Sequence, residues 1–203
     1  ISDCIIRDCT GTSGIRLYAE QGTNQVNYNT VKDCRIYNNN CTGILLTAGN
    51  ATAKMLYNQV ERCTLYNNSI GILLEGDGET EGNRIAQCSI YNNSDDGIKF
   101  DSCSNNAIEN CTIIDNSNNG INLSRSPCNN NIIRENNCSN NRNGIVVYNG
   151  KNNSFYENTF FSNREVGIKI LDSTSNLVYH NNLINNDQNG YDSGINFWCQ
   201  AEL

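Results

Sequence analysis

The 203 residues carry 14 Lys and Arg against 21 Asp and Glu, a formal net charge of −7 that excludes sequence-independent nucleic-acid binding, which needs clustered cations. A single proline among many asparagine doublets and triplets makes a turn-rich, helix-poor vocabulary, and no apolar run of roughly 18 residues is available for membrane insertion. Eleven cysteines, an odd number, leave at least one thiol free or paired between chains.

In chain order, one phrase, Gly-Ile-x-apolar, returns at Gly14-Ile15, Gly43-Ile44, Gly71-Ile72, Gly97-Ile98, Gly120-Ile121, Gly144-Ile145 and Gly167-Ile168, with a diverged copy at Gly194-Ile195. Its period of about 23 to 29 residues lies in the range of solenoids. A second phrase precedes each copy: Asn, an apolar residue two positions on, Cys or Asn at the sixth position, and a further apolar residue. It reads Asn29 to Ile36, Asn58 to Leu65, Asn83 to Ile90, Asn106 to Ile113, Asn131 to Cys138, Asn153 to Phe160 and Asn176 to Leu183. The chain opens in the middle of a repeat, as a processed or excised piece would, and Ile1-Ser2-Asp3-Cys4 carries no charged-then-apolar signal pattern.

Alternation of apolar and variable residues within Gly-Ile-x-Leu is the period-2 signature of a strand with one buried face. Two short strands per period are expected. A single coil cannot bury its apolar face, so coils must stack with backbone hydrogen bonds between them. The expected fold is all-β: a right-handed, single-stranded parallel β-helix of seven to eight coils forming one domain over 1–203. Glycine before the isoleucine is expected at positive φ, as is the asparagine preceding it at Asn119 and Asn143.

The repeats resemble the parallel β-helix repeats of the NosD-like family, of the carbohydrate-binding and sugar-hydrolysis type, which occur in surface, sheath and adhesin-like proteins of methanogenic archaea. The tail phrases Tyr179-His180-Asn181-Asn182 and Asn196-Phe197-Trp198 are similar to the way such arrays finish. The resemblance covers essentially the whole chain and implies fold far more than activity.

The sixth position of the upstream phrase forms a column: Cys4, Cys34, Cys63, Cys88 and Cys111, then Asn136, Asn158 and Asn181. Its thiols read as packed small residues, as disulfides between neighbouring coils, or as a column for soft metal ions. Cys103 and Cys128 each precede the upstream Asn by three residues and should lie one above the other, which makes them the candidate intramolecular disulfide. Cys9 and Cys41 read as loop residues without matched register. With Cys199 they are the candidates for bonds between molecules, and Cys138 takes an inward apolar position.

A catalytic constellation is not recognisable. The one histidine, His180, sits beside ladder position Asn181 and reads as structural, whereas alginate epimerases need Asp with His and pectin-acting enzymes need clustered carboxylates with a basic partner. Acids gather at Glu75, Asp77 and Glu79, with Asp101 expected one coil along. This is a weak Ca²⁺ candidate and the place to look for a glycosidase-like carboxylate pair. An outward column of Tyr37, Tyr66, Tyr91 and Phe161 reads as an interaction stripe or a platform for sugar rings. Asn-x-Ser/Thr triplets at Asn40, Asn50, Asn67, Asn92, Asn122 and Asn152 are about as many as so much asparagine supplies by chance.

These features lead to the expectation of a non-catalytic, extracellular surface-layer or sheath protein. It would self-assemble through uncapped strand edges, the aromatic stripe and intermolecular disulfides, without cofactor, nucleic acid or membrane insertion. The alternative is a carbohydrate-binding or polysaccharide-processing β-helix module of a secreted protein.

Overall fold

Ile44, Ile72 and Ile98 pair residue for residue on consecutive strands and are fully buried, which fixes both the stacking and the direction of the core. The computed structural model describes residues 1–20, 24–125 and 127–199, and every regular element in them is a β-strand. Three parallel sheets of eight strands each run the length of a rod. Sheet 1 runs from Ile5–Arg7 to Asn182–Ile184, sheet 2 from Ser13–Ala19 to Gln188–Asp192, and sheet 3 from Thr30–Lys32 to Ile195–Cys199. A short fourth sheet, Gln25–Asn27, Lys54–Leu56 and Glu79–Glu81, occurs where the coils are longest.

Three strands per coil replace the expected two, because the upstream phrase holds a pair of strands. Thr30–Lys32 and Arg35–Tyr37 are separated only by the bend at Asp33-Cys34. This bend and the one that follows sheet 1 both place a residue in the left-handed region immediately before a ladder residue, as at Asp33 (φ 54°) in the first and Asn38 (φ 56°) and Asn67 (φ 55°) in the second. Asn and Asp dominate there because their short polar side chains tolerate that conformation.

Inside, apolar columns run along the axis: Ile36, Leu65, Ile90 and Ile113 from sheet 1, Leu46, Leu74, Phe100 and Leu123 from sheet 2, and Val60, Ile85, Ile108 and Ile133 from sheet 3. Each fully buried side chain of this kind contributes about 1.5–3 kcal/mol.

The glycine expectation is corrected. Among the described glycines only Gly82 has positive φ (68°), and Asn119 and Asn143 begin extended strands. The Gly-Ile glycines serve close approach instead. A Cβ on Gly97 would lie 2.5 Å from Ile113 Cγ2 and 2.7 Å from the Gly120 carbonyl oxygen on the next rung.

Three asparagine ladders bind the rungs where one was expected. The expected column links Cys111 N–H to Asn136 Oδ1 (2.9 Å), Asn136 Nδ2 to Asn158 Oδ1 (3.0 Å) and Asn158 Nδ2 to Asn181 Oδ1 (3.0 Å). A second runs from Asn29 through Asn58, Asn83, Asn106, Asn131, Asn153 and Asn176 to Asn196. A third runs from Asn39 through Asn68, Asn93, Asn116, Asn141 and Asn163 to Asn186. Cys9 heads this third ladder, its N–H donating to Asn39 Oδ1, so its register is matched after all.

All eleven cysteines are free thiols, including Cys103 and Cys128, which occupy one inward column on consecutive rungs: Asn131 and Asn153 donate in turn to their carbonyls. Each of these thiols reaches a backbone oxygen instead, Cys103 to Asp101 and Cys128 to Ser124, both at 3.3 Å. Hydrogen bonding to Cys88 and burial push the Cys63 thiol far above its usual range, and burial does the same to Cys138. Cys41 is buried, which removes it as an accessible partner for another molecule, whereas Cys199 is exposed and Cys9 half-buried.

Candidate functional site

The outer face of sheet 2 carries the most chemically varied group of side chains. Register aligns Tyr18, Thr47, Glu75, Asp101 and Ser124 as one outward column on five successive rungs. Along it lies an open groove of about 310 Å³, lined by Arg16, Tyr18, Glu75, Asp77, Asp101 and Arg125 over a floor of Thr47, Ala48 and Gly49.

Glycines build the acidic wall. A side chain at Gly76 would collide with Ala48, and one at Gly78 with the Asn50 and Ala53 carbonyls, so the acidic turn lies flat on the preceding rung. Gly49 leaves room for the Tyr18 ring, whose hydroxyl would stand 2.7 Å from a Cβ there, and the Arg16 guanidinium stacks 4.0 Å from the centre of that ring.

Glu75 and Asp101 are in-register neighbours on adjacent rungs. Asp101 is only 6% exposed. Its Oδ1 lies 3.4 Å from Arg125 Nε and its Oδ2 3.8 Å from Lys99 Nζ. Glu75 is half-buried and forms no ion pair among the described residues. The site thus joins a cation-flanked carboxylate to an unpaired one, with a tyrosine hydroxyl along the same column. Sequence reasoning found Glu75, Asp77 and Asp101 but missed Arg16, Tyr18, Lys99 and Arg125. Arg16 and Lys99 had a signal, each as the residue between two inward positions of its strand.

Glu79 leaves this group. It pairs with Lys54 at 2.6 Å, which holds its carboxyl below the usual range, and this separates the proposed Ca²⁺ set of Glu75, Asp77 and Glu79. His180 lies at the bend before Asn181 with φ 53°, edge-on to Tyr179 at 5.4 Å, and does not line the groove. The carboxylates on the outer face of sheet 3 are tied into a chain of ion pairs, Arg62 with Asp33, Arg84 with Glu61 and with Glu109, and Arg134 with Glu109.

Tyr37, Tyr66 and Tyr91 do face outward, as expected, but they stack on one another with centroids 4.9 and 5.0 Å apart and planes within 2°. The ring faces that a sugar would need are therefore largely taken up by neighbouring rings. Phe161 lies further along the same column, 40% exposed.

At the last described rung Trp198 follows Val178 in register, lies beside Gly190 and donates its indole N–H to Asp192 at 2.8 Å, and remains 38% exposed.

The sequence matches the family described as right handed beta helix region over residues 70–201. The chain belongs to this right-handed β-helix family. No curated protein matches it in sequence. Among solved structures, it is similar to the A-module of the Azotobacter vinelandii mannuronan C-5 epimerase AlgE4, with a TM-score of 0.73 and 14% identity over 99% of this chain and 58% of that one. It is similar to the periplasmic alginate epimerase AlgG, with a TM-score of 0.68 and 18% identity over 92% of this chain and 47% of that one. A third similarity is to the pectate lyase Pel9A, with a TM-score of 0.56 and 15% identity over 98% of this chain and 70% of that one. The chain spans about half the length of the epimerase chains, and at these identities the likeness is one of fold.

Two epimerases and a lyase on one scaffold overturn the expectation of a non-catalytic protein. A coil-stacking fold assembles its sites from separate rungs, so the lack of a catalytic phrase in the linear sequence is no argument against catalysis. Among the described residues, no helix is long and apolar enough to cross a membrane.

Proposed function

We propose that the chain is a polysaccharide-processing β-helix module of a secreted protein, with the carboxylates of Glu75 and Asp101 as its acid–base pair. The observation that carries this reading is their in-register position on adjacent rungs in an open groove. Asp101, flanked by Arg125 and Lys99, is the member of the pair assigned as nucleophile or base. Glu75, free of ion pairs among the described residues, is the group able to carry a proton to a leaving glycosidic oxygen. The groove crosses successive rungs, so a glycan would lie along the rod axis. The resemblance of the repeats to NosD-like carbohydrate-binding proteins agrees with this reading, and so does the company of polysaccharide-acting folds.

The in-register backbone spacing of about 4.8 Å favours the shorter carboxyl separation of retaining glycosidases, about 5–5.5 Å, over the about 6.5–9.5 Å of inverting ones. The test is a reducing-end assay on a polysaccharide panel. Turnover with retention at the anomeric carbon is expected, and E75Q and D101N should each abolish it without changing the melting temperature. Unaltered turnover in both variants would move the chemistry elsewhere, and an unsaturated, ultraviolet-absorbing product would replace hydrolysis by elimination.

A further inference from the structure

A second groove of about 320 Å³ lies at the corner between sheets 1 and 2, away from the carboxylates. It is lined by Asn39, Asn40, Asn67, Asn68, Ser69, Asn92 and Ser94. No charged residue lines it. Asn39 and Asn68 belong to the third ladder and are consumed by it. Of the others Ser69 is half-buried, while Asn40, Asn67, Asn92 and Ser94 are exposed and form the accessible wall; of these four side chains only Asn67 has a partner among the described residues, Nδ2 donating to Asn38 Oδ1 at 3.0 Å.

These groups repeat on three consecutive rungs, each following a residue of the tyrosine stack or its ladder neighbour. Tyr37, Tyr66 and Tyr91, with centroids 4.9 and 5.0 Å apart, give the repeat of the surface. That repeat is close to the advance of one pyranose residue in an extended chain. Amides and hydroxyls both donate and accept, the pairing that sugar hydroxyls require, and a wall without cations offers nothing to neutralise an anionic chain.

We propose that this corner groove is a second, non-catalytic glycan site that takes a neutral, extended polysaccharide along the rod axis, one sugar residue per rung. It rests on the reading of the chain as a glycan-handling module but uses none of the residues of the carboxylate groove. Covalent glycosylation is the competing use, since Asn40, Asn67 and Asn92 each head an Asn-x-Ser/Thr triplet. Neighbouring rungs leave Asn67 and Asn92 too close to carry a bulky glycan each, which favours the non-covalent ligand.

The experiment follows side-chain amide resonances of the whole chain during titration with neutral cello-, manno- and xylo-oligosaccharides, and with an oligouronate of equal length. Asn67 and Asn92 both have φ 55°, so they are replaced by glycine, which keeps that backbone while removing the amide. Shifts at the Asn40, Asn67 and Asn92 amides with a neutral ligand are expected. N67G/N92G should weaken that binding at least about tenfold, the effect of two lost amide contacts, and leave reducing-end turnover of short substrates unchanged. E75Q and D101N should leave the corner shifts intact, so loss of turnover in those variants with retained corner binding separates the two sites.

Equal binding by N67G/N92G, preference of the corner for the oligouronate, or absence of corner shifts with all these ligands overturns the proposal. Intact masses showing glycan attached at Asn67 or Asn92 in the native protein overturn it as well, because the groove is then filled.

Discussion

Asn158 offers a direct measure of what the ladders contribute. Its side-chain oxygen accepts from Asn136 N–H and Asn136 Nδ2, both at 3.0 Å, and its Nδ2 donates to Ile133 O at 2.9 Å and Asn181 Oδ1 at 3.0 Å. The residue is fully buried. N158A removes all four bonds and leaves the Asn136 N–H without a partner in a dry setting. At about 1 kcal/mol per bond, with an orphaned buried donor at the upper end of that range, the loss is about 4 kcal/mol. The same column holds cysteine on earlier rungs, where Cys111 Sγ accepts from Cys88 N–H at 3.5 Å and donates to the Glu109 carbonyl at 3.4 Å. N158C therefore keeps a weak acceptor and a weak donor, and should cost about half as much as N158A. Urea denaturation followed by the β-sheet circular dichroism signal measures both. Equal losses for the two variants, or a loss for N158A no larger than for a surface substitution, would refute the reasoning that the ladder is held by specific side-chain bonds.

Three further outcomes are expected. G97A should destabilise by about 2 kcal/mol through overpacking against Ile113 and the Gly120 carbonyl, while G11A, with nothing within 4 Å of the added carbon, should be neutral in the same denaturation assay. A thiol reagent should modify Cys4, Cys9 and Cys199 in the native protein and the other eight cysteines only after unfolding, so fast modification of Cys63 or Cys103 would contradict the packing. Asp96 is buried, and burial raises its carboxyl above the usual range despite hydrogen bonds from Asn119 and Asn122. A raised folded-state value means that the native protein loses stability as pH climbs from the ordinary aspartate value of about 3.9 through the raised one. D96N lacks that loss and should gain on the wild type between acid and neutral pH in denaturation midpoints. Parallel curves would contradict the assignment.

The carboxylate pair shows how far a site of this kind can be read without coordinates. Glu75 and Asp101 could be brought together on paper because both lie at fixed offsets from Gly-Ile phrases, Gly71-Ile72 and Gly97-Ile98, and the offset survives stacking. Arg125 has an offset too, five residues after Gly120, but the offset does not give its side chain a partner. It follows the strand Asn119–Ser124, at a bend with φ 58°, and reaches back to the preceding rung by a direction that no spacing encodes. Tyr18 comes into the groove only because Gly49, one coil later, leaves space for its ring.

The sequence by itself determined the solenoid, the inward aliphatic columns and the Cys-to-Asn column, because each depends on a local pattern repeated once per coil. Alternation sets which side chains turn inward, and an isolated coil has no other way to bury them. Only the tertiary structure decided the third sheet, the two further asparagine ladders, the steric role of the glycines and the partners of each carboxylate. These depend on which residue lies directly above another. Coil lengths vary along the chain, so that relation follows from bends and insertions and not from a constant count.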